Sequence, residues 1–261
     1  LGNSKHHLIF SLRSLFLYDW RNNFSFISKS LMEKIVIQIW KNHEIDDNDF
    51  KNFLVNEIPS KLRPDLASYQ VNLPDKDVAK AADLAQSSYP PSPSAIIFLK
   101  VKSLFHVEQK LKVFESHAEK LFSYIVSESK IIEVDESNNL NKRTEGFSQI
   151  VFLEKPDNVD RFDWFDHWTN HHTQIAIETQ SNFIYVQNSV VRKLQKQAPN
   201  FIAIVEECFP SQAMSDQEEF YAARGDATLM KKNLEIMMDS CNTFIDFSKI
   251  EVIPTSRYLV I

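Results

Sequence analysis

Asp160-Arg161-Phe162-Asp163-Trp164-Phe165-Asp166-His167-Trp168-Thr169-Asn170-His171-His172 gathers three histidines and two tryptophans within thirteen residues. Asp160 is placed to cap a helix N-terminus. At 100° per residue, Trp164, Trp168, His171 and Ile175 fall within one narrow stripe, with His167 and His172 on its borders. Imidazoles therefore stand beside indoles. Strand-like runs flank the helix, Ser148-Gln149-Ile150-Val151-Phe152-Leu153 before it and Phe183-Ile184-Tyr185-Val186 after it, the latter running on into Gln187 and Asn188.

The same order of elements recurs on both sides of a polar linker at 135–146. The first half gives strand 33–40 and a helix through Phe50, Phe53, Leu54 and Ile58 that stops before Pro64. Strand 66–72 follows, then a short Ala-rich helix within 74–93 and strand 95–101. A long helix through Val107, Leu111, Phe114, Leu121 and Tyr124 comes next, and a strand at 130–134 closes the unit. The second half gives strand 147–154, helix 160–178, strands 182–188 and 201–208, a helix over about 216–246 and strand 249–260. Each half reads β-α-β-β-α-β, so the pattern predicts an α+β chain of two repeats, 32–134 and 147–261. Each sheet then carries helices on one face only and needs a cover for the other.

Residues 1–31 differ from the rest, with Lys5, Arg13, Arg21 and Lys29 against the single acid Asp19. Three readings stand for them: an upstream extension foreign to the natural protein, a targeting segment, or an extra helix. Leu8-Ile9-Phe10 is broken by Arg13, so no membrane span is expected there.

The 261 residues, 43% hydrophobic and 25% charged, suffice for a sizeable core. A formal charge of -6 argues against a nucleic-acid partner. Only three glycines occur, which leaves no room for a dinucleotide or P-loop fingerprint. Only two cysteines occur, Cys208 and Cys241, with no CxxC or other metal-like spacing, so a reduced cytoplasmic setting is expected.

Lys155-Pro156, Trp164, Trp168 and His172 together resemble the EthD-like family of dimeric α+β barrel proteins. In that family a strand ending in a Lys-Pro turn leads to a helix carrying an aromatic residue, then Trp, then His, at four-residue steps. The resemblance covers roughly residues 145–261. It implies that two ferredoxin-like units pack into one barrel, here within one chain as a pseudo-twofold monomer, or by homodimerisation. It also implies a pocket for a hydrophobic small molecule, without a cofactor. The first half places Phe50, Leu54 and Ile58 where the second has Trp164, Trp168 and His172, so a single pocket is expected.

The candidate catalytic groups are His172, which matches the family position, and His171, which the helical wheel favours; an imidazole suits proton transfer near neutral pH. The candidate substrate-binding residues are Trp164, Trp168, Tyr185, Asn188 and His167, with core packing the competing role for the indoles. His167 and His171 have i,i+4 spacing, yet no third ligand lies near and HExxH is absent, so no metal is expected. Of Glu206 and Glu207, alternation turns one inward as a buried acid. Two function classes stand. One is a cofactor-independent enzyme, oxidoreductase- or lyase-like, acting on an aromatic or polyketide-like compound. The other is a non-catalytic binding protein serving a partner oxidoreductase.

Overall fold

The computed structural model describes residues 32–261; residues 1–31, and the three readings given for them, lie outside the described residues. The strands are β1 (Glu33–Lys41), β2 (Leu66–Leu73), β3 (Gln86–Ser87), β4 (Ala95–Val101), β5 (Ala118–Ile132), β6 (Phe147–Leu153), β7 (Ile184–Lys193), β8 (Ala203–Phe209) and β9 (Ile250–Leu259). The α-helices are α1 (Asp47–Asn52), α2 (Ile58–Leu62), α3 (Leu104–Leu111), α4 (Arg161–Asp166), α5 (Thr173–Thr179), α6 (Gln217–Phe220) and α7 (Ala227–Phe244). Two π-helical segments, Phe53–Glu57 and His167–His172, join α1 to α2 and α4 to α5.

The strands lie in the order β2-β4-β1-β5-β7-β8-β6-β9, and β2 pairs back onto β9. Eight antiparallel strands thus close a barrel, with β3 attached to β9 as a two-residue edge. Closure removes the exposed edges that an open sheet would present. Alternation along each strand gives the barrel two apolar faces. Val36, Trp40, Phe98, Tyr124, Phe152 and Phe201 fill the inside. Outside, Ile35, Ile37, Tyr69 and Val71 pack against Phe50, Phe53, Leu54 and Ile58. On the other side Leu153, Tyr185, Val205 and Ile250 pack against Trp164, Trp168, Met237 and Phe244.

One end of the interior is charged. Arg257 on β9 donates from Nε to Glu206 on β8 at 3.1 Å, and Gln70 on β2 donates to the same carboxylate at 2.6 Å. Arg257 also meets Glu136, from the segment read as a linker. That segment does more than connect. Asn141 and Thr144 donate their backbone N–H groups to Leu259 and Arg257, each at 2.8 Å. Gly146 leads into β6 at φ 89°, and a Cβ there would stand 2.0 Å from the carbonyl oxygen of Phe209, so only glycine fits.

Two elements differ from the sequence pattern. The long helix expected through Leu121 and Tyr124 ends at Leu111, and a 3-10 stretch at Lys112–His117 leads into β5. Leu121 and Tyr124 lie on that strand, which runs to Ile132 and takes in the start of the 130–134 strand. Phe122-Ser123-Tyr124-Ile125-Val126 is rich in aromatic and β-branched residues, and β1 and β7 pair with it on either side. The Ala-rich helix expected near residue 80 is a 3-10 helix, Lys76–Leu84. No helix among the described residues is long and apolar enough to cross a membrane.

Candidate functional site

The site grows from α4, which starts because the Asp160 side chain accepts the Phe162 N–H at 2.7 Å. That bond holds the Asp160 carboxyl below its usual range. Trp164 is fully buried and donates its indole N–H to the Phe244 carbonyl at 2.7 Å, tying α4 to the end of α7. Then the helix widens. The Thr173 N–H reaches back five residues to the Trp168 carbonyl, the mark of a π turn. The Thr173 hydroxyl donates to the same carbonyl at 2.8 Å. The wider turn shifts the side-chain register, so His172 rather than His171 faces inward.

Two imidazoles converge on Ser240 of α7. His167 Nε2 lies 3.2 Å from the Ser240 carbonyl and 3.1 Å from its hydroxyl. A carbonyl only accepts, so the network assigns the proton of His167 to Nε2. The Ser240 hydroxyl is then left to donate to His172 Nδ1, 2.9 Å away. The neutral His172 therefore carries its own proton on Nε2. Burial, and next the nearby His167, push the His172 pKa down to about 4. At neutral pH it is a neutral donor.

β7 and β8 bring a phenol and an acid to the same outer face of the sheet, where Tyr185 and Glu207 are cross-strand partners. Glu207 is 7% exposed. Burial raises its pKa to about 7, although the Asn182 amide, donating at 3.0 Å, works against the shift. Tyr185, whose hydroxyl accepts from the Gln187 amide at 3.1 Å, is raised by burial as well. Burial also lifts the Cys241 thiol to about 12, so it is not a thiolate nucleophile at neutral pH. Between this face and α7 lies a cavity of about 430 Å³, whose lining includes Trp168, His172, Tyr185, Glu207, Cys241 and Phe244. Apolar side chains make up most of its exposed wall, with Lys80, Asp83 and Asp216 among the charged groups of the lining, and a mainly apolar wall is what binding sites for small hydrophobic molecules share.

Of the candidate catalytic and substrate-binding residues, Trp168, His172 and Tyr185 line this cavity, and Trp164, His167, His171 and Asn188 do not. Trp164 sits against Trp168, with ring centroids 5.2 Å apart, as core. His167 is held by Ser240. His171 is exposed on the outer side of its helix, 3.7 Å from the Asp166 carboxylate. Asn188 is on the opposite face of the sheet, donating to the Ile204 carbonyl at 3.0 Å. Both Glu206 and Glu207 are buried, one inside the barrel and the other in the cavity. Glu207 was visible as an acid in an apolar strand but could not be assigned a face. Among the described residues no group of three or more His, Cys, Asp or Glu side chains is placed to hold a metal ion.

Comparison with known proteins adds a family to this geometry. Residues 156–248 match the family model described as EthD domain. The match lies within the second half of the chain and covers about a third of the chain's length, so it is a similarity of that segment to EthD domains. The match runs from the turn before α4 to just short of β9, and so contains the helices and the two strands that supply Trp168, His172, Tyr185 and Glu207. No curated protein matches the chain. Among solved structures, an anthrone oxidase-like protein is similar at a TM-score of 0.54 and 8% identity, over 89% of this chain and 94% of that one. A chlorite dismutase variant from Candidatus Nitrospira defluvii is similar at a TM-score of 0.45 and 8% identity, over 88% and 92%. The first of these is a likeness of fold, and neither lends this chain an activity.

Proposed function

We propose that the EthD-like half takes up a hydrophobic aromatic or polyketide-like molecule and moves a proton on it without a cofactor. Glu207 is the observation that carries this: a carboxyl with a pKa of about 7, buried in an apolar cavity. Such a group is partly ionised at neutral pH and matched to general-base work. It takes the proton of a phenol or an acidic C–H, and the electron pair stays on the substrate as a phenolate or enolate. His172, with its proton on Nε2, and the Tyr185 hydroxyl are the donors that meet the oxygen on which that charge settles. Trp168 and Phe244 provide flat apolar wall. The imidazole is then a donor and the carboxylate the base.

The barrel is read as two repeats closing on each other in one chain. Supporting this, 33–132 and 147–259 share one strand order, Asp46 and Asp160 cap equivalent helices, and each helix contains a π segment. The same fold would serve a homodimer, which sedimentation separates from a monomer. Cys208 and Cys241 are both free, in keeping with a cytoplasmic setting.

The test is a calorimetric and turnover screen of hydrophobic aromatic acids, quinols and polyketide fragments on wild type and E207Q. Binding by both, with turnover reduced about 10²–10⁴-fold in E207Q, is the expected result. Binding by both with no turnover in either identifies a carrier for a partner enzyme and overturns the catalytic role.

A further inference from the structure

A second cavity lies on the other face of the same sheet. Along β9, Ile250 and Val252 line the Glu207 cavity while Glu251 between them faces into the barrel. At that end of the interior the cross-strand pairs Gln38 with Phe122 and Trp40 with Lys120 set four side chains side by side. With Tyr89 and Phe201 among the further walls, they surround about 260 Å³.

The aromatic walls are fixed and their own polar atoms are already used. Trp40 donates its indole N–H to the Pro91 carbonyl at 2.7 Å, and Tyr89 donates its hydroxyl to Glu154 at 2.8 Å. Phe122 meets Trp40 edge-on at 5.3 Å, and Phe201 meets Tyr89 at 5.6 Å. Glu251 accepts from the Ser87 hydroxyl and the Tyr89 backbone N–H, both at 2.7 Å. Gln38 is different. It is 1% exposed, and among the described residues its Oε1 has no hydrogen-bond partner. A buried amide carbonyl left in that state is costly, so a donor is missing. At the cavity mouth the Lys120 ammonium stands 3.7 Å over the Trp40 ring, with Phe122 5.4 Å away, and among the described residues it makes no ion pair.

We propose that this cavity binds a planar one- or two-ring aromatic anion carrying an N–H or O–H group. The ring lies among Trp40, Tyr89, Phe122 and Phe201, the N–H or O–H donates to Gln38 Oε1, and the anionic group meets Lys120. The site is independent of the Glu207 cavity, from which the sheet itself separates it.

The experiment uses the full chain and indole-3-propionate as the probe. Calorimetry gives the affinity, and the side-chain N–H signal of Trp40 in a 15N-tryptophan spectrum reports where the probe sits. Saturable binding that shifts the Trp40 signal is expected. N-methylation of the probe should weaken it about threefold to tenfold, as should Q38L, because either change removes one neutral hydrogen bond. K120A should weaken the carboxylate probe but not 3-methylindole. The ligand series on the wild-type chain decides the matter even if a variant folds poorly. Absence of saturable binding, or equal affinity for the probe and its N-methyl analogue, overturns the proposal and leaves the Gln38 carbonyl to an internal water.

Discussion

At the scale of single residues, two titrating groups in one cavity are displaced in opposite directions. His172 falls from 6.5 to about 4, so in the unfolded chain it binds a proton that the fold refuses. That contribution to stability is present above 6.5 and is lost as pH falls toward 4. Glu207 rises from 4.5 to about 7, so the fold keeps a proton that the unfolded chain gives up. Its contribution is present below 4.5 and is lost as pH rises toward 7. Each shift is worth about 3 kcal/mol at full extent, and the two slopes oppose each other where they overlap. E207Q removes one of them. Its stability in urea should therefore fall by about 3 kcal/mol between pH 6.5 and 4, while the wild type changes less over the same range. Parallel curves for the two proteins would contradict the assigned shifts. Both residues stood out in the sequence, but not their roles. Glu206 and Glu207 lie in a strand buried on both faces, so hydrophobic alternation could not tell which acid entered the cavity.

At the scale of elements, the π turn decides which histidine is used. A wheel drawn at 100° per residue assumes 3.6 residues per turn, and a π turn breaks that spacing where His171 and His172 must be told apart. Thr173 supports the turn. Its hydroxyl donates to the Trp168 carbonyl and accepts from the buried Gln187 amide at 2.7 Å. Thr173→Val should cost about 1–3 kcal/mol by leaving those groups short of a partner, read as a lower urea midpoint with an unchanged slope. A midpoint equal to wild type would show that the hydroxyl is dispensable. Strands with strong apolar character, such as β1 and β8, were legible to within a residue or two at each end. The start of β5 was not, because Leu111, Phe114 and Leu121 mimic helical spacing while long-range pairing with β1 and β7 makes the segment extended.

At the scale of the whole molecule, closure of the barrel depends on contacts far apart in sequence. Arg257 joins β9 to Glu206 on β8 and to Glu136, while Gln70 brings β2 to the same carboxylate. Arg257→Met removes the cation and leaves Glu206 2% exposed with uncharged partners, which should cost about 3–5 kcal/mol. Thermal and urea unfolding check that figure, and a loss under 1 kcal/mol would mean that the network is not needed for closure. The order of elements could be read from local periodicity, whereas the β2–β9 and β5–β7 pairings could not, since pairing register is not a local property. The asymmetry between halves is legible in the sequence. Phe50, Leu54 and Ile58 are buried core in the first half, and the cavity with His172 is lined mainly by the second, with Lys80, Asp83, Leu84 and Gln86 reaching in from the first.

The most direct measurement is a carboxyl 13C titration of Glu207 in the folded chain, assigned by its loss in E207Q. A midpoint near pH 7 is predicted. A midpoint near the ordinary value of 4.5 would remove the base from the cavity and with it the proposed chemistry.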